Sequence, residues 1–218
     1  PTAADPTTFA DALEVLGRYS LMDKAPASVL RHLRQGGDET PKALPAQVSN
    51  VVLGNNARSL EAAADRAAEL GWRVLNLGAF VEGETRHVAA VHAGLVRGIR
   101  RDKTPLGPPV CILSGGETTV AFPDAPGKGG RNTEFVLAML DRLGQEMDGL
   151  VVLSAGTDGE DGPTDAAGAV ADRTTPREGA RDHLARHDSY SFFDKAGGLL
   201  RTGLTGTNVT DVRVILVS

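Results

Sequence analysis

The fold class follows from one segment, VSNVVLGNNARSLEAAADRAAELGWRVLNLG, residues 48–78. Its apolar first part predicts a β-strand, its alanine-rich centre is a strong helix former, and WRVLNLG predicts a second strand. Gly71 is placed to end the helix. A strand, a helix and a strand within this length form a βαβ unit, which predicts a pair of parallel strands.

The rest of the chain continues this alternation. Further strands are predicted at the apolar runs VCILSGG (110–116), GLVVLSAG (149–156) and DVRVILVS (211–218). Helical spacing predicts further helices near 84–100, 131–147, 176–186 and 189–196. The first of these is expected to bury a face formed by Val88, Val91, Leu95 and Ile99. We therefore predict an α/β layered sheet with helices on both faces and mostly parallel strands.

A short helical arm is predicted ahead of this domain. Phe9, Leu13 and Leu16 recur at helical spacing, and residues 36–47 concentrate glycine, proline and charge as a linker does. We predict a helical arm and linker over residues 1–47 and an α/β domain over 48–218. Because the chain begins with Pro1, we expect it to be a piece of a longer protein.

Composition excludes several classes of function. The 218 residues carry a formal net charge of −5 with both signs interspersed, so nucleic acid and membrane surfaces are not expected as partners. No apolar run approaches the ~20 residues of a membrane helix. Cys111 lies in an apolar run and is predicted to be a small buried hydrophobe. We expect a cytoplasmic protein.

Two glycine-rich segments are candidates for anion binding. In LSGGETTV, Gly115 and Gly116 leave backbone N–H groups uncovered at a strand end, although a tight turn uses the same glycines. In GKGGRNTEF, Lys128 and Arg131 lie at the start of a helix, where free N–H groups and an arginine fork suit phosphate or carboxylate. A solvated loop is the alternative there. The loop predicted to contain Lys128 covers residues 123–130.

Two further segments carry polar groups. SAGTDGEDGPTDAAGA (154–169) has carboxylates suited to Mg²⁺ or to general-base chemistry, and TGLTGTNVTD (202–211) has hydroxyls and an amide that bind ligands or build turns. The glycines do not match the dinucleotide fingerprint G-x-G-x-x-G, and neither the P-loop pattern nor G-x-S-x-G occurs. These absences disfavour a nicotinamide reductase, a P-loop enzyme and a serine hydrolase.

Four segments, in their order along the chain, resemble the glycerate 2-kinase family, whose C-terminal part is called the MOFRL domain. These segments are SGGETTV, GKGGRNTEFVLA, LSAGTDGEDGPTDAAGA and TGLTGTNVTD. Leu204 and Thr210 depart from the family pattern, which has proline and more often asparagine there. The resemblance implies transfer of the ATP γ-phosphoryl group to the 2-hydroxyl of glycerate with Mg²⁺, in a cleft between two α/β domains. It also implies that the N-terminal domain is missing and that the isolated chain is inactive.

The resemblance matches Glu117, Arg131, Asp158 and Asn208 to polar residues of the family's motifs that face the cleft. From their chemistry we expect catalytic roles for Arg131, Asp158 and Glu117, and magnesium ligation by Asp158 and Asp161. The residues expected to bind substrate are Asn208, Thr207, Thr157, Gly115, Gly116 and Lys128. The alternatives are a hydroxypyruvate reductase, a name that some relatives bear, and a non-enzymatic ligand-binding or subunit-partner domain. The apolar face of the arm would seek another surface, such as a second copy of the chain in a homodimer.

Overall fold

The computed structural model describes residues 3–44, 47–122 and 127–218. The chain divides into two compact units, Pro1–Leu53 and Gly54–Ser218. This boundary lies after Leu53, whereas the sequence predicts it after residue 47. Parts of the predicted linker (45–46) and of the predicted loop (123–126) lie outside the described residues.

The first unit contains two helices, α1 (Phe9–Arg18) and α2 (Ala27–Gln35). Thr8 and Asp11 form a capping box that satisfies backbone donors at the start of α1. The Phe9 ring meets the His32 ring of α2 at a centroid distance of 5.0 Å. None of the described residues of this unit is fully buried, and Phe9, Leu13 and Leu16 are half-buried. The predicted helices of the arm are therefore present, and their apolar residues are only half-buried.

The second unit alternates helices and strands along the chain. Its elements are α3 (Asn56–Glu69), β1 (Arg73–Asn76), β2 (Gly83–Glu84), α4 (Thr85–Arg101), β3 (Val110–Gly116), β4 (Thr118–Thr119), α5 (Arg131–Leu143), β5 (Leu150–Gly156), β6 (Gly168–Asp172), α6 (Ala180–Ala185), α7 (Ser189–Ala196), β7 (Leu199–Leu200) and β8 (Asp211–Val217). A 3-10 turn, Gly144–Met147, follows α5. The main sheet has the strand order β1-β3-β8-β5-β6-β7, and β2 pairs with β4 separately.

The α/β layered class is confirmed, but the prediction of mostly parallel strands is wrong. Within the six-stranded sheet of the described residues, β1 and β3 are parallel neighbours and the other four neighbouring pairs are antiparallel. The reason is that β8, the last strand, inserts between β3 and β5 and runs against both. The strands β5 and β6 are joined without an intervening helix, so they too are antiparallel.

The strand predicted within residues 48–54 is not formed. Val51, Val52 and Leu53 are 77%, 70% and 85% exposed. Strand propensity becomes a strand only where burial and pairing follow, and these side chains are not buried. In the main sheet the parallel pair is therefore β1–β3, connected through α4, and α3 leads into β1 without a preceding strand.

Helices cover both faces of the sheet. On one face, α4 and α5 pack on β3, β5 and β8, and α5 is buried along most of its length, including the predicted Phe135, Leu137, Leu140 and Leu143. On the other face, Leu60 of α3 packs against Cys111 and Leu113. Cys111 is buried, so its predicted role as a buried hydrophobe is confirmed, and this burial raises the pKa of its thiol.

One predicted core position of α4 is wrong. Val91 is 63% exposed, while Val88 and Ile99 are buried as expected. The inner face of α4 is instead completed by His92 and Val96. His92 satisfies its ring nitrogens through the Val88 carbonyl and the Ser114 hydroxyl, which is why a polar residue is tolerated there. None of the described helices is long and apolar enough to cross a membrane.

Candidate active site at the strand tips

Three strand ends meet at one edge of the main sheet. Gly116 at the end of β3 and Gly156 at the end of β5 both lie in register with Asp211 at the start of β8. The glycine-rich segments that follow β3 and β5, and the one that precedes β8, therefore emerge at the same edge. This edge contains the candidate site.

Arg131, the first residue of α5, is held at this edge by Asp211. Its Nε donates to Asp211 Oδ2 at 2.7 Å and its NH2 group donates to Oδ1 at 3.0 Å. Asp211 is fully buried and also accepts from Asn132 Nδ2 at 3.0 Å. The hydrogen bond with Asp211 raises the pKa of Arg131, and the two hydrogen bonds to this carboxylate fix the orientation of the guanidinium.

The free edge of the Arg131 guanidinium faces Glu117. Arg131 NH1 lies 3.1 Å from Glu117 Oε1, and the two side chains are 28% and 57% exposed. A cavity of about 360 Å³ is lined by both residues together with Gly129 and Gly130. A second cavity of about 420 Å³ is lined by Glu117 together with Asn208. Glu117 therefore borders both cavities, and Arg131 borders the first.

Asp158 and Asn208 form a second polar pair at the same edge. Asn208 Nδ2 donates to Asp158 Oδ2 at 3.1 Å, and the Glu160 backbone N–H donates to Asp158 Oδ1 at 3.1 Å. Asp158 Oδ1 lies against Gly156, 2.9 Å from where a Cβ of that glycine would stand, and Asn132 Nδ2 is 3.7 Å from the same point. Asp158 is thus a neighbour of the Asn132 amide that contacts Asp211.

Thr157 ties the two loops of this second pair together. Its hydroxyl donates to the Thr210 carbonyl at 2.7 Å and accepts from the Val209 backbone N–H at 2.8 Å. The hydroxyl of Thr157 is therefore engaged in holding the loop, as are the backbone groups of Thr207, which contact the Thr205 hydroxyl. The substrate-binding roles expected of Thr157 and Thr207 stay predictions.

Asn56 is a site residue that sequence reasoning missed. Its Nδ2 donates to the Val209 carbonyl at 2.7 Å, to Thr210 Oγ1 at 3.1 Å and to the Asp211 carbonyl at 2.9 Å. Thr210 has a left-handed backbone, with φ of +67°, which these bonds help to hold. The only signal in the sequence was an asparagine pair after a glycine at a helix start. Asp211 was also missed, although a carboxylate opening an apolar strand is unusual.

The two glycines that end β3 allow close packing at this edge of the sheet. The Gly115 N–H donates to the Gly78 carbonyl, so it is not free to hold an anion as expected. A Cβ on Gly115 would lie 1.7 Å from Asn56 Oδ1. Gly116 has φ of +118°, and a Cβ there would lie 2.5 Å from the Val81 backbone. The glycines therefore allow other segments to cross closely, and a ligand role for Gly116 stays a prediction.

Lys128 lies apart from both cavities in the described part of the chain. Its Nζ is 3.8 Å from the centroid of the Tyr190 ring, a cation–π contact, and its backbone N–H donates to Asp188 Oδ1 at 3.1 Å. The side chain that was expected to bind substrate is thus occupied by Tyr190. Its substrate-binding role stays a prediction without a contact in support.

Asp161 caps α5. Its oxygens accept from the backbone N–H groups of Asn132 and Thr133, both at 2.8 Å, and from the Thr133 hydroxyl at 2.8 Å. Burial raises the pKa of Asp161, and these three hydrogen bonds oppose the rise. Both oxygens are in use at a helix N-terminus, so the metal-ligand role expected of Asp161 stays a prediction that this geometry does not support.

We expect Asp161→Ala to lower the free energy of unfolding by about 1–3 kcal/mol, because two buried N–H groups of α5 lose their acceptor. Urea unfolding of the metal-free chain, followed by circular dichroism, measures the change. Glu160→Ala is the matched control, since Glu160 is the exposed neighbouring carboxylate. Equal stability of the two variants would contradict the capping role.

Residues 110–211, from β3 to the first residue of β8, match the MOFRL family. The mixed sheet and the polar groups at its strand tips therefore define an α/β domain of the MOFRL type. A glycerate 2-kinase from Pyrococcus horikoshii is 37% identical over all of this chain and 51% of its own length. A relative from Agrobacterium vitis, whose name provisionally assigns it to hydroxypyruvate reductases, is 41% identical over all of this chain and 50% of its own length.

A solved structure of the same kind is similar throughout. The crystal structure of glycerate kinase from Thermotoga maritima has a TM-score of 0.79 and 35% identity, and the likeness covers 98% of this chain and 51% of that one. The chain belongs to the glycerate 2-kinase family. It spans about half the length of the curated relatives named above.

Proposed function

We propose that this chain forms one half of the catalytic cleft of an ATP-dependent glycerate 2-kinase, which phosphorylates the 2-hydroxyl of glycerate. The observation that carries the proposal is the Arg131 guanidinium, which the buried Asp211 carboxylate holds in place and which lines a cavity at the strand tips together with Glu117. Alone, this half lacks the opposite wall of the cleft, so we expect the isolated chain to be inactive. We expect the residues that hold the nucleotide from the other side to lie in the part of the relatives that this chain does not span.

Arg131 suits an anionic ligand. Phosphoryl transfer depends on positioning and on neutralising charge, and a guanidinium held by two hydrogen bonds to Asp211 is positioned before the ligand arrives. Its NH1 edge, now facing Glu117, would bind the glycerate carboxylate or the transferred phosphoryl group. Glu117 is more than half exposed and would turn away to accept a hydrogen bond from a substrate hydroxyl.

Asp158 suits the reacting hydroxyl. It is half-buried, and each of its oxygens accepts one hydrogen bond, which leaves acceptor positions free on both. It would take the proton of the 2-hydroxyl as a general base, or hold Mg²⁺ through one oxygen. Mg²⁺ there would neutralise charge on the phosphate oxygens, which with water would supply its other ligands. Asn208, paired with Asp158, would orient the substrate hydroxyl.

Mg²⁺ needs little from the protein in such a site. Among the described residues, no three side chains of His, Cys, Asp or Glu come together as a metal cage. Kinase magnesium is commonly held by one or two carboxylates together with substrate phosphates, so Asp158 alone fits this pattern. A preformed metal cage is therefore not expected.

The test supplies this chain with the complementary half of the Thermotoga maritima relative and measures glycerate phosphorylation with ATP. We expect phosphorylation by the mixture and none by either half. A second arm measures NADH consumption with hydroxypyruvate, the reaction that the Agrobacterium vitis names suggest. NADH consumption without phosphorylation would favour the reductase, and stable assembly without either reaction would favour a non-enzymatic partner domain.

A further inference from the structure

Arg213 is a buried cation that the proposed mechanism leaves unused. It lies on β8, the strand between β3 and β5, where Ser114 and Ser154 are its register neighbours. Its side chain is 1% exposed, and its guanidinium carbon lies 5.3 Å from the centroid of the Phe135 ring. An arginine is rarely this buried unless it is paired, so its partners decide what it does.

The hydrogen bonds of Arg213 are few and point toward the site. Its NH2 group donates to Thr118 Oγ1 at 3.2 Å and to Asp211 Oδ2 at 3.4 Å. Within the described part of the chain, its Nε and NH1 atoms have no hydrogen-bond partner. Burial lowers the pKa of Arg213, and the nearby Asp211 opposes this. A buried charge with incomplete hydrogen bonding destabilises a fold, so Arg213 adds little to stability.

The charges around Asp211 show what Arg213 contributes. Arg131 faces two carboxylates, Asp211 and Glu117, so these three side chains alone carry a net charge of about −1. Asp161, the other nearby carboxylate, is matched by the N-terminal amides of α5. Within the described part of the chain, the buried charge of Arg213 brings this group of four side chains to neutrality. Because water does not screen buried charges, one unit of charge alters the field at Arg131 strongly.

We propose that Arg213 is a positioning residue: its buried charge offsets Asp211, so that Arg131 keeps its positive charge for an anionic ligand while Asp211 holds it in place. This inference rests on the proposed function, in which Arg131 binds the carboxylate or phosphoryl group. Asp211 then orients the Arg131 side chain without cancelling the effect of its positive charge on the ligand. The ligand class is a small carboxylate or phosphate, and Arg213 acts on it through Asp211 and Arg131, without contact.

The test uses the 218-residue chain itself and inorganic phosphate as the probe. Phosphate is titrated into wild type, Arg213→Met and Arg213→Lys, and binding is followed by NMR at the amides of residues 129–131. We expect wild type to bind, Arg213→Met to bind roughly tenfold more weakly or worse, and Arg213→Lys to bind within about threefold of wild type. Arg181→Met, which removes an exposed arginine of α6, should leave binding unchanged.

Thermal unfolding of the same variants separates positioning from structural support. We expect Arg213→Met to melt close to the temperature of wild type, because Arg131 and Asn132 still pair with Asp211 and methionine removes a guanidinium with incomplete hydrogen bonding. A large fall in its melting temperature, phosphate affinity equal to that of wild type, loss of affinity in Arg213→Lys, or no phosphate binding by wild type would each overturn the proposal. Should the methionine variant not fold, the first of these outcomes applies.

The kinase assay keeps this inference separate from the proposed function. If the assembled wild-type cleft phosphorylates glycerate and Arg213→Met does so with unchanged KM and kcat, the inference fails and the function stands. If the wild-type cleft is inactive, the proposed function fails, and the phosphate titration still decides whether Arg213 acts on Arg131. We expect an active wild-type cleft and a raised KM for glycerate in Arg213→Met.

Discussion

Arg131→Lys is expected to slow ATP-dependent glycerate phosphorylation by the assembled two-part cleft by roughly a hundredfold to a thousandfold. The guanidinium makes two hydrogen bonds to Asp211 and still presents a third nitrogen toward Glu117 and the cavity. A lysine ammonium is a single point charge and cannot hold Asp211 and a ligand in this geometry together. Steady-state rates of both proteins at saturating ATP and glycerate measure the effect.

The lysine variant is chosen so that the fold survives the change. Asp211 is fully buried, and removing its cationic partner would leave a charge without compensation. Lysine keeps the positive charge opposite Asp211. We therefore expect the free energy of unfolding of Arg131→Lys to lie within about 2 kcal/mol of the wild-type value. Arg181→Met is the matched control, because it removes an exposed arginine of α6 and should retain full activity. Near-normal turnover by Arg131→Lys would remove Arg131 from the mechanism.

The elements of the second unit were largely predictable because their signals are local. The strands at 110–116, 150–156 and 211–217 are apolar runs bounded by glycine or polar residues, and α5 follows a strong helical pattern. Strand direction was not predictable in this way. It depends on β8 inserting between β3 and β5, which is a tertiary event that no local pattern encodes. The strand predicted within residues 48–54 was wrong for the same reason, because strand propensity alone does not supply a neighbouring strand to pair with.

The residues of the candidate site also differ in whether local sequence patterns predict them. Arg131 and Asp158 could be proposed from the sequence because each lies in a glycine-rich segment next to a strand or helix end. Asn56 and Asp211 could not, because their roles arise from contacts across long separations. The Asn56 amide reaches the Asp211 carbonyl 155 residues away, and Asp211 holds an arginine 80 residues away. Such partners become visible only when the chain is folded.

Asp158→Asn is the second change with a large expected effect, a fall in kcat of roughly a thousandfold in the assembled cleft. The amide has one acceptor oxygen, so it can still accept from the Glu160 backbone N–H or from Asn208 Nδ2, and we expect the loop to lose one of these two hydrogen bonds. What is lost is the negative charge, which either takes the proton of the 2-hydroxyl or holds Mg²⁺. Steady-state kinetics across a range of Mg²⁺ concentrations and pH measure both consequences.

The two roles of Asp158 separate in that experiment. Partial recovery of Asp158→Asn at high Mg²⁺ would assign Asp158 to the metal, and activity that stays low at all Mg²⁺ concentrations would assign it to proton transfer. Glu160→Gln removes the exposed neighbouring carboxylate and should leave kcat within about twofold, since only direct contact gives large effects. Near-normal turnover of Asp158→Asn would remove Asp158 from the mechanism and leave Arg131 as an anion-binding residue without a partner for the reacting hydroxyl.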